Sequence, residues 1–521
     1  MSGQEKPHSG LRIFLFISSS KAALSIAKSG ETLFEFRAFP AVEPVPLRLS
    51  YKAVEESKIL SKSHKFFLSA LFLLFVSARL SWAGDCWISV SGAGLKNGSD
   101  AANAYSASEG GQSKNAQVCW NQTSSDGTMH VMAGEYTVEN KSFWRLRIIS
   151  ANDGTGAKEK NYKKLIGEGR VLLQGPRKVP YDPSLKTEGG LWLDISQGAS
   201  RLWVQNFHIS RIAEGISAAE GGNVDLQFHD LHFEDTRQNF IILGHPDCKT
   251  RRSCGVKPEA MTREILIKNT SGLRYSKRHV RLGNGVSKVK VENSLADAGF
   301  LDGDFAVGFD VEGPSHDIDF IRSSSRANIY TLTPYWNGDG FKSEIETKNI
   351  RWISCSAFDN GDGGFDIKTD NAYLENIIAL RNNRNIRIWS SQKSVVKNAN
   401  VSYAEHRGGI GAEAGIWSSG AVDCQFCTFL NNKIQILAEN NGKGAQINLY
   451  DSILSMNSGN PDEWIRREKG TRVDLIRTVQ WKAGTPGIDP KLGLGANAYW
   501  DGGNQEFNSI LYGKTKGYHY E

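Results

Sequence analysis

The feature that most constrains this chain is a loose internal repeat of short, strand-like segments after residue 84. Runs rich in Val, Ile and aromatic residues recur about every 20–30 residues and are separated by Asn, Asp and Gly. Each run alternates apolar and polar residues and is too short for an amphipathic helix. A coil of this kind cannot bury its apolar side alone, so neighbouring coils must stack into a solenoid. The clearest runs span residues 201–209, 224–233, 264–268, 288–291, 317–321, 350–355, 374–380 and 421–429.

Polar pairs end three later segments that align with one another without gaps. Asn tolerates the left-handed conformation and hydrogen-bonds locally, so Asn residues at the same point of successive coils would form a side-chain ladder. The repeat therefore predicts an all-β chain folded as a right-handed parallel β-helix with N- and C-terminal caps. A β-propeller is the alternative, but no four-strand blade period is visible. The pairs are Asp359/Asn360, Asn382/Asn383 and Asn431/Asn432.

The segment before the repeat has the pattern of an export signal. Lys65 precedes a short apolar run, and Ala83 supplies the small residue of a cleavage site, so residues 62–83 are interpreted as a signal peptide. The apolar run is about half of the ~20 residues that a spanning helix needs. Residues 1–61 form a leader interpreted as disordered or as the product of a mis-assigned start. The predicted β-helix is 84–480, followed by a C-terminal cap and tail at 481–521.

Charge and cysteine content narrow the class of protein. Residues 1–83 hold 11 Lys and Arg against 6 Asp and Glu, and the remaining residues hold 51 against 50. The body is therefore nearly neutral, which argues against a nucleic-acid partner. Seven Cys are consistent with export into an oxidising compartment. Cys86 with Cys119, and Cys248 with Cys254, are possible pairs. We expect a secreted, periplasmic or cell-surface monomer without a membrane span once the signal is removed.

Two Gly-rich motifs and an Arg-rich segment carry the candidate chemistry. The motifs are NGDGFK at residues 337–342 and NGDGGFD at 360–366, and RNIR follows at 384–387. Phe341, Phe365 and Ile386 would share one inward-facing position of successive coils. Side chains alternate along a strand, so the residues that follow them would form an outward column. This column is Lys342, Asp366 and Arg387, with Asp310 as an extension from the preceding coil.

Three carboxylates are expected to meet beside this column. Asp339 and Asp362 enter from the Gly-rich turns and join Asp366 on adjacent coils. Clustered like charges are costly unless something neutralises them. A hard cation with oxygen ligands is the economical answer, so the sequence predicts a Ca²⁺ site.

The order of these motifs resembles the family 9 polysaccharide lyases of the pectate-lyase-like superfamily. The resemblance implies that Asp339, Asp362 and Asp366 bind calcium and that a basic side chain removes a proton. Gly363 stands where the family usually has a further Asp. The best counterpart of the family's Lys base is Arg387, and Lys342 is the competing choice.

The predicted reaction is calcium-assisted β-elimination on a uronate-containing, pectate-like polysaccharide. A metal on the substrate carboxylate stabilises the enolate-like intermediate, and a base takes the adjacent proton. A polygalacturonase-type glycoside hydrolase is the first alternative, because three Asp residues can supply a general acid and base. A non-catalytic, glycan-binding β-helix is the second. The predicted substrate-binding residues are Trp336, Lys368, Arg384 and Trp389.

Overall fold

The computed structural model describes residues 12–18, 21–28, 31–35 and 84–482, without 110–112, 150–161, 180–181, 183–188, 251–253, 391, 443 and 457–462. The chain divides into two units, Met1–Ser81 and Trp82–Glu521. The predicted signal peptide lies outside the described residues, as does nearly all of the C-terminal cap. In the first unit, β1 (Arg12–Ser18), β2 (Lys21–Lys28) and β3 (Glu31–Glu35) form an antiparallel sheet. The status of residues 1–61 as a leader stays a prediction.

The second unit is the predicted parallel β-helix. One long sheet contains twelve strands, each hydrogen-bonded to its counterpart in the next coil. We call this sheet the site sheet. Its strands are β7 (Leu146–Ile148), β9 (Leu191–Ile195), β11 (Glu214–Ala218), β13 (Gln238–Leu243), β16 (Arg278–Gly283), β19 (Val307–Val311), β22 (Phe341–Ser343), β25 (Gly363–Ile367), β27 (Arg384–Ile388), β29 (Ala414–Ser418), β32 (Ile434–Ala438) and β35 (Ile465–Arg467).

The remaining strands form a second run of parallel ladders that bends within most coils. The bend falls at a residue with positive φ, such as Asn269, Asn293, Ser354 or Asn376. The strands are β4 (Cys86–Ser89), β5 (Tyr105–Ser106), β6 (Thr128–Thr137), β8 (Lys163–Gln174), β10 (Ser200–Ser210), β12 (Val224–Glu234), β14 (Arg263–Lys268), β15 (Ser271–Leu273), β17 (Ser287–Glu292), β18 (Leu295–Asp297), β20 (His316–Ile321), β21 (Ser324–Arg326), β23 (Lys348–Ile353), β24 (Ser356–Phe358), β26 (Tyr373–Leu380), β28 (Ser394–Ser402), β30 (Ala421–Gln425), β31 (Thr428–Leu430), β33 (Gln446–Tyr450), β34 (Ile453–Met456), β36 (Arg472–Ile476) and β37 (Val479–Lys482).

The interior is a continuous apolar core that runs along the stacked coils. Phe309, Phe341 and Phe365 stack face to face, with ring centroids 4.8 and 4.9 Å apart. These separations match the spacing of adjacent strands in a sheet. The predicted inward position of Phe341, Phe365 and Ile386 is therefore confirmed, because all three are buried and lie in register.

A buried amide ladder follows the core, as the polar pairs predicted. The side-chain amide of Asn328 donates to Asn360 at 2.7 Å, and that of Asn360 donates to Asn382 at 2.8 Å. All three are fully buried. Since each amide both donates and accepts, the ladder satisfies polar groups that would otherwise be costly to bury.

The N-terminal end is covered by a helix that the strand periodicity did not indicate. Helix α1 (Lys114–Gln122) buries Ala116, Cys119 and Trp120 against the first coils. A disulfide between Cys86 and Cys119 ties it to β4, and a second joins Cys248 to Cys254. Both predicted pairs are thus confirmed. Two short 3₁₀ helices span Ala101–Asn103 and Pro258–Ala260. Within the described residues, no helix is long and apolar enough to cross a membrane.

Candidate functional site

The predicted outward column lies on the site sheet, in the predicted register. Asp310 of β19 pairs with Lys342 of β22, Lys342 pairs with Asp366 of β25, and Asp366 pairs with Arg387 of β27. Strand pairing therefore fixes an alternation of anion and cation over four successive coils. The predicted register is confirmed, whereas Asp310 and Asp366, at 0% and 3% exposed, are buried rather than outward at the surface.

The three predicted carboxylates converge, but beneath the surface. Asp339, Asp362 and Asp366 are only 2%, 1% and 3% exposed. Asp339 accepts a 2.9 Å hydrogen bond from the backbone N–H of Gly363. A side chain at Gly363 would start 3.0 Å from Oδ1 of Asp339 and 3.2 Å from Cβ of Asp366. The glycine therefore leaves room between two carboxylates of adjacent coils.

Asp362 is held by two guanidinium groups. Nη1 of Arg384 lies 2.8 Å from Oδ1 of Asp362, and Nη1 of Arg387 lies 3.1 Å from Oδ2. The hydroxyl of Tyr335 donates to the same Oδ2 at 2.6 Å. That hydroxyl also accepts from Nη1 of Arg384 at 2.9 Å and of Arg387 at 3.0 Å. Tyr335 is thus the centre of a closed network, which we call the tyrosine hub: Tyr335, Asp362, Arg384 and Arg387.

Asp366 has a different set of partners. The indole N–H of Trp389 donates to Oδ1 of Asp366 at 2.8 Å, and Nζ of Lys368 lies 3.4 Å from Oδ2. Lys368 also pairs with Glu344 at 2.9 Å, and Glu344 pairs with Lys342 at 2.7 Å. Burial alone would raise the pKa of Glu344, but Lys342 and Lys368 outweigh it and lower that pKa to about 2. The outer edge of the column is therefore an ion-pair network in which Glu344 stays charged.

The three carboxylates do not fit a calcium ion in this arrangement. Both oxygens of Asp362 are already hydrogen-bonded to cationic groups or to Tyr335. Among the residues that the structure describes, no group of three or more His, Cys, Asp and Glu side chains is placed to hold a metal. Calcium prefers six to eight oxygen ligands, and the guanidinium groups lie where such oxygens would have to point.

The environment of the two predicted bases opposes that role. Burial would lower the pKa of Arg387, but Asp366 and Asp362 outweigh it and raise that pKa above its ordinary value. Asp310 and Glu344 likewise outweigh burial and raise the pKa of Lys342. Both side chains are held in their charged forms. A general base must give up its proton near the working pH, so we assign Arg387 and Lys342 cationic roles instead.

Asp339 is a buried carboxyl group that lies beside two others. Burial, followed by the charges of Asp366 and Asp362, raises its pKa well above the ordinary 3.8. Within 4.0 Å of its oxygens, the described residues offer no Lys, Arg or His nitrogen that would form an ion pair. Burial beside two other carboxyl groups therefore favours the protonated form of Asp339 more than that of an ordinary Asp.

This assignment predicts how the Asp339→Asn variant responds to pH. The folded state binds a proton at Asp339 that the unfolded state has lost, so stability falls as pH rises from about 4 towards the raised pKa. Asn cannot titrate, and it resembles the neutral acid in shape. Asp339→Asn should therefore lose less stability over this range than the wild type, as measured by thermal unfolding at stepped pH. Equal slopes for the two proteins would contradict a raised pKa of Asp339.

A cleft of about 610 Å³ opens beside the tyrosine hub. Three predicted substrate-binding residues, Lys368, Arg384 and Trp389, line it together with Arg387 and Trp417. The guanidinium of Arg387 lies 4.3 Å from the ring centre of Trp389 and 5.2 Å from that of Trp417. Such contacts hold the cation against an aromatic surface.

Two aspects of the site differ from the sequence interpretation. Trp336 does not line the cleft but packs against the backbone at Gly408 and Gly409. The second aspect is Tyr335, whose hydroxyl, rather than its ring, organises the hub. The sequence carries a weak signal for this role, namely the position of Tyr335 just before the first Gly-rich motif.

No protein-family model and no curated protein matches the chain. Solved structures with a similar fold include pectate lyase Pel9A, at 12% identity and a TM-score of 0.36, covering 79% of this chain and 83% of that one. A mutant of the periplasmic alginate epimerase AlgG matches at 10% identity and a TM-score of 0.38, with 68% and 77% covered. The pre-mature bacteriophage phi29 gene product 12 matches at 12% identity and a TM-score of 0.42, covering 73% of this chain and 56% of that one. At such values, these likenesses say nothing about activity.

Proposed function

We propose that the protein is an exported enzyme that cleaves a uronate-containing polysaccharide by β-elimination in the cleft beside the tyrosine hub. The observation that carries the proposal is one hydroxyl, on Tyr335, hydrogen-bonded to a carboxylate and two guanidinium groups. Arg384 and Arg387 also line a cleft with aromatic walls. An acidic sugar needs cations for its carboxylate and flat apolar surfaces for its ring, and the cleft offers both.

Binding would place the substrate carboxylate against Arg387 and Lys368. Neutralising that carboxylate makes the neighbouring proton more acidic, because less charge builds up when the proton leaves. The Nε atoms of Arg384 and Arg387 are buried and have no hydrogen-bond partner among the residues that the structure describes. Buried donors normally have a partner, so this part of the hub is suited to an anionic ligand or to bound water.

Tyr335 is the proposed proton-transfer residue. Burial and the charge of Asp362 raise its pKa above 10, although Arg387 and Arg384 oppose that rise. The phenol is therefore protonated at neutral pH and can give its proton to the departing glycosidic oxygen, while the phenolate oxygen takes the C5 proton in exchange. The C5–H and C4–O bonds thus break, the C4–C5 double bond forms and the phenol is restored. The two guanidinium groups would stabilise the transient phenolate, and Asp362 holds the hydroxyl in place.

Hydrolysis is the second candidate, because Asp339 and Asp362 lie in contrasting environments. Burial and neighbouring carboxyl groups raise the pKa of Asp339, whereas Asp362 is paired with Arg384 and Arg387. Two carboxyl groups whose environments push their charge states apart are the usual pattern of an acid and base pair. In this reaction, Asp339 would protonate the leaving oxygen while an ionised carboxylate activates water.

One assay distinguishes β-elimination, hydrolysis and non-catalytic glycan binding. The full-length protein is incubated with polygalacturonate, alginate or a glycosaminoglycan, with and without EDTA. A lyase generates ultraviolet absorbance from a new conjugated double bond. A hydrolase generates reducing ends without that absorbance, and a non-catalytic binder generates neither. Absence of the absorbance with every uronate polymer tested would refute β-elimination.

Export belongs to the proposal as well. The Cys86–Cys119 and Cys248–Cys254 disulfides support an oxidising destination, because such bonds rarely persist in a reducing cytoplasm.

Trp389 should contribute to substrate binding. Its ring stacks on Arg387 at the cleft wall, and an aromatic contact contributes about 0.5–1.5 kcal/mol. We therefore expect Trp389→Ala to raise KM about 2- to 10-fold in the absorbance assay. Trp389→Phe keeps an aromatic ring and should recover part of that loss. Trp336→Ala is the matched control outside the cleft, and an equal rise in its KM would contradict the placement of the substrate.

A further inference from the structure

Arg384 occupies a buried position that is unusual for a cation. Its side chain is 8% exposed, and it stands in register with Gly363 on the preceding coil. One nitrogen, Nη1, donates to both Asp362 and Tyr335. A side chain at Gly411 would start only 2.7 Å from Nη2 of Arg384, so the loop that contains Gly411 closes over the guanidinium.

The two guanidinium groups of the hub are balanced by carboxylates of the protein, one within the hub and one, Asp366, beside it. Arg384 and Arg387 together carry two positive charges, the same as one divalent cation. Asp362 and Asp366 supply two negative charges beside them. Leaving a buried charge unpaired costs several kcal/mol, so a further cation would need anionic partners that the hub has already used.

We propose that Arg384 permanently takes the place of a divalent metal ion in this site, so that the site is metal-independent. The inference deepens the proposed function and rests on it only for the identity of the site. The guanidinium is part of the chain itself, and it reaches Asp362 from β27, the neighbouring strand of the site sheet. Position 363, which stands in register with Arg384, is a glycine and adds no carboxylate to the site.

The first test needs only the wild-type protein. Thermal unfolding of the full chain is followed in EDTA and over a series of CaCl₂ concentrations, with calorimetric titration of CaCl₂ alongside. A ligand that binds only the folded state raises Tm as its concentration increases. We expect the same Tm in both conditions and no heat of binding. A Tm that falls in EDTA, or that rises with CaCl₂ and saturates, would overturn the proposal.

The second test creates the metal site that Arg384 replaces. The double variant Gly363→Asp with Arg384→Ala removes the cation and adds a carboxylate, whose Cβ would lie 3.0 Å from Oδ1 of Asp339 and 3.2 Å from Cβ of Asp366. We expect its Tm to rise with CaCl₂. The matched control joins Gly363→Asp to Arg381→Ala, because Arg381 pairs with Asp359 outside the hub. The proposal would be overturned if the folded double variant showed no rise in Tm with CaCl₂, or if the control showed an equal rise.

Both tests measure thermal stability or calcium binding, so their outcomes do not depend on the cleavage assay. If no uronate polymer is cleaved while the calcium results come out as expected, the proposed function fails and the inference about Arg384 stands. If cleavage occurs and EDTA lowers the wild-type Tm, the opposite is true.

Discussion

Tyr335→Phe should lower kcat about 10²- to 10⁴-fold, the usual contribution of a positioned proton-transfer group. The substitution removes one oxygen and leaves the ring in place. Because the phenol is proposed to act on the departing oxygen, the loss should appear in kcat, with little change in KM. The measurement is the initial rate of ultraviolet absorbance on the best uronate polymer, over a range of substrate concentrations.

A control must separate catalysis from damage to the hub, because the same hydroxyl also binds Arg384, Arg387 and Asp362. Tyr373→Phe removes a hydroxyl that bonds Glu375 on the other run of strands, and it should keep the wild-type rate. If Tyr335→Phe kept at least a tenth of the wild-type kcat, proton transfer by Tyr335 would be ruled out. A rise in KM with kcat unchanged would make it a positioning residue.

Phe341→Ala should lower the free energy of unfolding by about 3–5 kcal/mol, the usual cost of deleting a buried aromatic ring. Phe341 lies between Phe309 and Phe365 and also touches Phe320. Its removal leaves a cavity that stacked coils cannot easily close, because each strand is held by hydrogen bonds on both sides. Urea denaturation followed by tryptophan fluorescence measures the change.

The matched control for this variant is Ile345→Ala, which lies after the same strand and is 70% exposed. Substitutions at such surface positions usually change stability by less than about 0.5 kcal/mol. A similar loss in both variants would mean that the phenylalanine stack does not hold these coils together. A loss confined to Phe341→Ala would confirm the stack as a main source of stability beneath the site.

The sequence predicted those parts of the molecule that repeat from coil to coil. Phe341, Phe365 and Ile386 could be aligned because each precedes a charged residue in a similar motif, and strand pairing preserves that alignment. Asn360 and Asn382 were recognised in the same way. In a solenoid, a residue's place within its coil determines its neighbours, so such contacts can be read from the chain.

The hub could not be read in this way, because its contacts do not follow the repeat. Tyr335 comes from a loop and reaches Arg387, 52 residues later in the chain. Its path depends on how the loop folds back, which no periodicity encodes. The charge states of Asp339 and Arg387 depend on burial and on neighbours brought together by folding. The sequence therefore identified the acidic and basic residues of the site but not their pairing. Asp362 and Asp366, predicted as calcium ligands, form ion pairs with Arg387, which was predicted as the base.

The ladder of Asn328, Asn360 and Asn382 has a consequence for how the cleft tolerates change. Each amide binds the one on the next level, so sliding a coil by a single residue would strand both members of a pair inside the protein. The ladder, whose Asn residues do not line the cleft, thus helps to keep the strands that carry the cleft residues in register. We therefore expect the loops around the cleft to tolerate insertions and substitutions without a change in the register of the coils beneath them.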